Sequence, residues 1–357
     1  MSHRRNFNRS VMAMAVGAFG ANSLLSAASP APKDRTFSDD ELSPAELITP
    51  ETQNAINRAL NYLQRSQIKT GRNRGAFAAS GLQSGVATAS LGGLAMMCGG
   101  HAPGYGKFGK VIDNAAQFVM NNVQDTGYIQ RRDLPSERMY GHGFGMLFLS
   151  QVYGMTRKAK VGEKLRKAAE LTSKTQNNDG GWRYKPVKSD ADLSITVCQI
   201  MGLRGARDAG VDVSDEVRKK CIEYVKRSQN TNGSFRYTLR GGHSTMAMTA
   251  AGLTSLYSAG IYDGELVDKA LDRLLASKPR SSRGGHFFYT QYYAVQAMWH
   301  AGGKYWNAWY PAIRDVLLKD QADDGSWRSS EAGPQFGAAM ASIILQMPLN
   351  YVPVFSP

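Results

Sequence analysis

The sequence contains few of the residues that would crosslink a fold or anchor it in a membrane. Its 357 residues include three cysteines, Cys98, Cys198 and Cys221, and no CxxC pair, so we predict neither a disulfide framework nor a zinc ribbon. All three fall in predicted helices, where we expect them to be buried as small apolar side chains. Beyond residues 11–25, which are too few to cross a bilayer, no segment has the length and apolar character of a transmembrane helix.

Acidic residues are scarce relative to basic ones. The chain has 43 lysines and arginines against 29 aspartates and glutamates, which gives a formal net charge of +14. The excess is spread along the predicted helices, so we interpret it chiefly as the solvated outer face of a helical protein. Attraction to an anionic membrane surface or an anionic cell-wall polymer is the alternative. No nucleic-acid-binding motif is present, and we expect no nucleic-acid partner.

The first residues have the pattern of an export signal. Arginines at positions 4, 5 and 9 precede a mild apolar run over 11–25, and small residues follow at 26–28. This pattern predicts a signal peptide over 1–28, and the paired arginines resemble a twin-arginine signal; a Sec signal is the alternative. We predict a linker over 29–48, a repeat domain over 49–350 that starts with Thr49 as helix cap and Pro50 as first helical residue, and a tail over 351–357. The expected location is the periplasm or cell envelope.

One short motif recurs along the chain. It occupies residues 176–182, 229–235 and 321–327, and it reads Gln, two residues, Asp or Asn, Gly, one residue, aromatic. The copies begin 53 and 92 residues apart, a period that indicates a repeat architecture. Weaker copies at 67–77, 124–128 and 283–287 bring the number of units to six. The shared positions of the three strong copies are Gln176, Gly180, Trp182, Gln229, Gly233, Phe235, Gln321, Gly325 and Trp327.

Each unit predicts two helices of different character. The helix before the motif is amphipathic: in the unit around residue 220, Val217, Cys221 and Val225 share one face, and charged residues occupy the other. The helix after the motif is apolar on nearly every side and is therefore expected to be buried on every side. Six such pairs would bury both kinds of helix as an inner ring within an outer ring. An open solenoid is the alternative.

These residues resemble the QW repeat of terpenoid cyclases and of the β-subunits of protein prenyltransferases. The resemblance covers roughly residues 50 to 348. It implies an all-α fold, a single α/α toroid of six helical hairpins of the squalene cyclase-like kind, in which the Gln and the aromatic residue connect neighbouring hairpins. Squalene cyclases resemble two such barrels in tandem, and this chain has room for one.

Polar residues just before or at the start of the inner helices are the candidates for function, because in such a ring they surround the central cavity. The catalytic candidates are Asp190, Asp192 and His243. The candidates for lining the cavity and binding a ligand are Tyr140, His142, His286, Tyr289, Tyr292, Tyr293 and Gln335.

The segment Asp190-Ala-Asp-Leu193 resembles the DxDD acid motif of squalene-hopene-type cyclases. The resemblance implies that Asp192 is an acid that protonates an alkene and that Asp190 assists it, since clustered carboxyls in a dry site can hold such a proton. Leu193 stands where that motif has its third carboxylate. The alternative is that Asp192 caps the helix beginning at Leu193 by accepting a hydrogen bond from the N–H of Ser194 or Ile195.

Prenyltransferase β-subunits bind zinc through an Asp-x-Cys pair, and this sequence has none, so we predict no metal and no cofactor. Aromatic residues are dense between 287 and 310; they could stabilise a carbocation, stack on sugars or simply pack. The leading hypothesis is an exported protein that binds or transforms an isoprenoid or other long apolar ligand. A non-catalytic toroid that binds a lipid, polymer or protein, and a carbohydrate-active enzyme, are the alternatives.

Overall fold

The computed structural model describes residues 42–77, 85–279 and 285–356, which lie in one compact unit. The predicted signal peptide and residues 29–41 of the predicted linker lie outside the described residues. The helices are α1 (Pro44–Leu47), α2 (Pro50–Ser66), α3 (Val86–Cys98), α4 (Gly109–Asn121), α5 (Arg138–Thr156), α6 (Ala159–Thr175), α7 (Leu193–Asp208), α8 (Asp215–Ser228), α9 (Met246–Ser258), α10 (Glu265–Leu275), α11 (Phe287–Ala301), α12 (Gly303–Asp320) and α13 (Gly333–Gln346).

Helices α2 to α13 form six hairpins, each with an even-numbered outer helix followed by an odd-numbered inner helix. Each inner helix packs against the next, and α13 also packs against α3. The inner helices therefore form a closed ring, which confirms the predicted toroid and excludes the open solenoid. Helix α2 begins as predicted, with Thr49 accepting a hydrogen bond from the N–H of Thr52 and Pro50 at its first position.

Burial follows the predicted division between inner and outer helices. In α7, every residue from Leu193 to Ala206 is buried, whereas α8 buries only the face that contains Val217, Cys221 and Val225. Glycines let the inner helices approach closely: a Cβ atom at Gly143 of α5 would lie 2.7 Å from the Cβ of Cys198 on α7. No helix of the described residues is long and apolar enough to cross a membrane.

The glutamine of the repeated motif connects adjacent hairpins. At four of the joints, its Nε2 atom donates one hydrogen bond within its own motif and another to a carbonyl near the start of the next outer helix. The cross-joint bonds are Gln67 to Val111 at 2.9 Å, Gln176 to Val217 at 2.9 Å, Gln229 to Leu266 at 2.7 Å and Gln321 to Ala55 at 2.9 Å. The last bond connects the sixth hairpin to the first and so closes the outer ring.

The glycine and the aromatic residue of the motif fit the same joint. Gly180 has a φ of +98°, and a Cβ atom there would lie 2.0 Å from the carbonyl oxygen of Lys220 on the next outer helix. Only glycine fits such a position without displacing backbone. The Trp182 indole is buried and donates to the carbonyl of Thr172 at 2.8 Å, which holds the motif against its own outer helix.

Residues 352–356, within the predicted tail, pack into the ring. Val352, Val354 and Phe355 are buried, and the ring of Phe355 lies 6.1 Å edge-on from that of Tyr292 on α11. Arg204 of α7 donates to the carbonyl of Ser356 at 3.0 Å. Because α7 and α11 are not neighbours in the inner ring, a segment that contacts both crosses the ring centre.

Candidate functional site

Three tyrosines contact α7, one from the neighbouring helix α5 and two from α11 across the centre of the ring. The hydroxyl of Tyr140 on α5 lies 2.7 Å from Ser194 Oγ, and the hydroxyl of Tyr289 on α11 donates to the Ser194 carbonyl at 3.0 Å. One turn deeper, the hydroxyl of Tyr293 lies 3.0 Å from Cys198 Sγ. On the side formed by α5, α7 and α11, the ring centre is therefore filled by hydrogen-bonded side chains.

Tyr292 completes this tyrosine cluster, which comprises Tyr140, Tyr289, Tyr292 and Tyr293. Its ring lies edge-on to Phe144 at 5.8 Å and to Tyr293 at 4.9 Å, which is the favoured geometry of aromatic pairs. Burial raises the pKa of Tyr289, Tyr292 and Tyr293 well above the usual range. Their hydroxyls therefore stay protonated.

Asp192 caps helix α7, as one of the two sequence interpretations expected. Its Oδ1 accepts from the Ile195 N–H at 2.9 Å and from Ser194 Oγ at 2.6 Å. Its Oδ2 has no hydrogen-bond partner of normal geometry; the Arg183 guanidinium lies 3.9 Å away, and the Tyr237 hydroxyl is near. The carboxyl is fully buried, and this burial raises its pKa. A proton on Asp192 would therefore reside on Oδ2.

Arg183 lies between the two aspartates of the candidate acid motif. It forms an ion pair with Asp190, whose side chain is exposed. The Arg183 guanidinium therefore lies between the two carboxylates. The carboxylate of Asp190 is exposed to solvent, whereas that of Asp192 is buried. Next to Arg183, the hydroxyls of Tyr184 and Tyr237 are hydrogen-bonded to each other, and both rings lie close to its guanidinium.

Arg183, Tyr184, Ser194 and Tyr237 were not among the residues selected from the sequence. The sequence does indicate two of them. Tyr184 lies two residues after Trp182, the aromatic residue of its motif, and Tyr237 lies two residues after Phe235 in the next motif. Inner helices that are adjacent in the ring bring equivalent positions of successive repeats together.

The histidines are not gathered at this site. His142 is fully buried between α5 and α6, where Nδ1 accepts from the Ile129 N–H at 3.1 Å and Nε2 lies 2.8 Å from Thr172 Oγ1. His243 and His286 are both exposed, and His286 has a left-handed backbone just before α11. Gln335 is buried at the start of α13.

At the amino ends of α9, α11 and α13, five residues remain 7–9 % exposed, whereas residues one turn deeper, such as Ala251, Tyr293 and Met340, are fully buried. We call these five residues the mouth: Ala247, Met248, Phe287, Tyr289 and Phe336. All five are apolar or aromatic, and Tyr289 belongs to the tyrosine cluster as well.

Among the described residues, no group of three histidine, cysteine, aspartate or glutamate side chains could hold a metal ion. The three cysteines are free and buried, and burial raises the pKa of Cys198 and of Cys221 to about 12. A thiol with such a pKa is protonated at neutral pH and is a poor nucleophile.

The chain matches no protein-family model and no curated protein. Its fold is shared with solved structures. The type II terpene cyclase MstE from Scytonema, solved with geranylgeranyl dihydroxybenzoate, is 14% identical with a TM-score of 0.57, over 85% of this chain and 98% of that chain.

Two carbohydrate-active enzymes share the fold as well. Cellobiose 2-epimerase from Bacillus thermoamylovorans is 10% identical with a TM-score of 0.63, over 83% of this chain and 98% of that chain. A GH76 α-mannanase from Bacteroides thetaiotaomicron is 11% identical with a TM-score of 0.61, over 88% and 100%. At such identities the likeness establishes a terpenoid-cyclase-like α/α toroid fold, and function has to be argued from the site.

Proposed function

We propose that this protein binds a long apolar ligand of the isoprenoid type at the mouth of the toroid and does not transform it. The observation that carries the proposal is the mouth, whose apolar and aromatic residues are 7–9 % exposed at the amino ends of three inner helices. Ligand pockets are lined predominantly by side chains of this kind. The prenylated ligand of the MstE structure supports this ligand class by analogy of fold.

The surroundings of Asp192 favour binding over catalysis. Protonation of an alkene needs a carboxyl that faces the substrate in an open apolar cavity. Asp192 is fully buried, its Oδ1 is occupied by the helix cap, and Tyr140 and Tyr289 hydrogen-bond to the adjacent Ser194. A substrate would have to displace these tyrosines before it could contact the acid.

Acid-initiated transformation of an isoprenoid is the second candidate. It is favoured by one observation, that Asp192 Oδ2 has no hydrogen-bond partner of normal geometry while burial raises the pKa of the carboxyl. Burial therefore favours the protonated form of this carboxyl relative to an exposed one. Arg183, 3.9 Å away, would stabilise the carboxylate left after proton transfer.

We also infer export to the periplasm or cell envelope from the signal pattern over residues 1–28. The excess positive charge would favour contact with an anionic membrane surface there. Cell fractionation and amino-terminal sequencing of the mature protein test this. Cytoplasmic protein that retains residues 1–28 would contradict it.

The experiment for ligand binding is native mass spectrometry with lipid extraction on protein purified from the cells that produce it. Wild type is compared with Asp192→Asn, with Met248→Gln at the mouth and with Met155→Gln, a matched control whose side chain is 42% exposed on α5. The binding proposal predicts one isoprenoid retained by wild type, Asp192→Asn and Met155→Gln and lost from Met248→Gln.

Two other results would contradict the binding proposal. A cyclised product in wild type with uncyclised substrate in Asp192→Asn would favour the second candidate. Protein that is empty in every variant would contradict both candidates.

A further inference from the structure

A basic groove lies on the outside of the toroid between outer helices α4 and α6. It has a volume of about 740 Å³, and a second hollow of about 480 Å³ adjoins it. The two share Gly71, Arg72 and Asn121, so together they form one elongated path. The groove lies at the joint where the repeated motif is shortened to residues 124–128. Among the described residues, Gln124 makes no cross-joint hydrogen bond like those of Gln67 and Gln176.

Cations in this groove exceed carboxylates. Asp113 and Asp133 are the acidic residues along the path, and Asp133 is already paired with Arg131. Lys158 lies 3.8 Å from Asp113, a weak contact. The basic residues along the path are Arg72, Arg74, Arg131, Arg132, Lys158 and Lys160.

Three of the cations along this groove are not in ion pairs. Within the described part of the chain, Arg72, Arg132 and Lys160 form no ion pair. Elsewhere on the outer helices, several lysines pair with a carboxylate one turn earlier: Lys167 with Glu163 at 3.1 Å, Lys219 with Asp215 at 3.1 Å and Lys269 with Glu265 at 2.6 Å. Three exposed cations outside ion pairs along one groove are available to an anionic ligand.

The other side chains that line the groove favour one class of anionic ligand over others. Amide side chains, including Asn73, Asn121 and Gln130, lie along the path, and they hydrogen-bond well to hydroxyl groups. No aromatic side chain is among the described residues that line it, so a nucleic-acid base would find no stacking platform. The concave shape suits a strand better than a flat bilayer.

We propose that this groove binds a strand of acidic polysaccharide. The arginines and lysines would contact its carboxylates, and the amides would contact its hydroxyls. This site is separate from the mouth and does not depend on the function proposed for it.

The test measures binding of oligogalacturonate, a carboxylate-bearing glycan, to the full chain by titration calorimetry at low and at physiological salt. The triple variant Arg72→Gln/Arg132→Gln/Lys160→Gln removes the unpaired cations. The matched control Lys167→Gln/Lys219→Gln/Lys269→Gln removes the same charge from paired sites. Five of the six residues are exposed and Lys167 is half-buried, so both variants are expected to fold.

We expect wild-type binding that weakens with salt, affinity about tenfold lower in the groove variant, and a change of less than about threefold in the control. Neutral dextran should not bind. Equal losses in the two variants would overturn the proposal, because the attraction would then be a property of net charge alone. Tighter binding to phosphatidylglycerol vesicles or to single-stranded DNA than to oligogalacturonate would overturn it as well.

Discussion

Two joints of the outer ring connect neighbouring hairpins through different side chains. Where α6 meets α8, Gln176 donates hydrogen bonds to the carbonyls of Gly180 and Val217, and we call such a joint closed. Where α4 meets α6, Gln124 makes no such bond among the described residues and a groove lies between the helices, so we call this joint open. The glutamine of the motif therefore acts as a clamp between hairpins, and the joint with the shortened motif lacks that clamp.

A buried histidine holds the open joint together instead. His142 accepts from the Ile129 N–H at Nδ1, so its proton is on Nε2, which donates to Thr172 Oγ1; that hydroxyl in turn donates to the Ala168 carbonyl at 2.9 Å. This chain links the shortened motif to α6, as the glutamine does elsewhere. Unlike a glutamine, the imidazole can take up a proton.

The largest effect is expected from adding a methyl group inside the clamp. Gly180→Ala places a Cβ atom 2.0 Å from the Lys220 carbonyl oxygen at a φ of +98°. We expect a loss of roughly 3 kcal/mol or more in the free energy of unfolding, measured by urea denaturation. Gly154→Ala is the control, because nothing lies within 4 Å of its Cβ and alanine favours a helix. Similar losses in the two variants would contradict the clamp.

A smaller effect is expected from removing the clamp glutamine. Gln176→Ala deletes the two hydrogen bonds to Gly180 and Val217, and we expect it to cost about 2 kcal/mol of stability. Gln124→Ala at the open joint should cost less than about 0.5 kcal/mol. Urea denaturation of the two variants measures how much each glutamine contributes to the free energy of unfolding. If Gln124→Ala lost as much stability as Gln176→Ala, the proposed difference between the closed and the open joint would be wrong.

The fold could be predicted because it is specified locally and repeatedly. Helix type follows from the distribution of apolar residues around Val217 and Leu193, and the joint follows from the recurrence of Gln176, Gly180 and Trp182. Repetition also located the amino ends of the inner helices, where Asp192, Tyr140 and Tyr289 do converge on Ser194.

The rest of the candidate site depends on the direction in which each side chain points. Position in the sequence does not determine that direction. His142 lies only two residues after Tyr140, but it points outward to α6, whereas Tyr140 points to the neighbouring inner helix α7. His243 and His286 precede their helices at exposed positions. The groove was not predictable either, because no residue pattern in the sequence marks the surface between α4 and α6.

The stability of the open joint is expected to depend on pH through His142. Burial lowers the pKa of His142 to about 3, whereas a histidine in the unfolded chain titrates near about 6.5. Between these values the unfolded chain binds a proton that the folded chain excludes, so stability falls as pH falls through this window. Lowering the pH from 7 to 5.5 should therefore cost wild type about 1.4 kcal/mol more than it costs His142→Gln.

Urea denaturation at the two pH values measures this difference, and the other titrating groups cancel because they are present in both proteins. His243→Gln, at an exposed histidine, should follow wild type. His142→Gln is expected to be less stable at pH 7, since it disturbs the hydrogen bonds to Ile129 and Thr172, but flatter in its pH response. An equal loss in wild type and His142→Gln would show that the open joint is not held by a neutral imidazole, and the contrast with the glutamine-clamped joints would then need another cause.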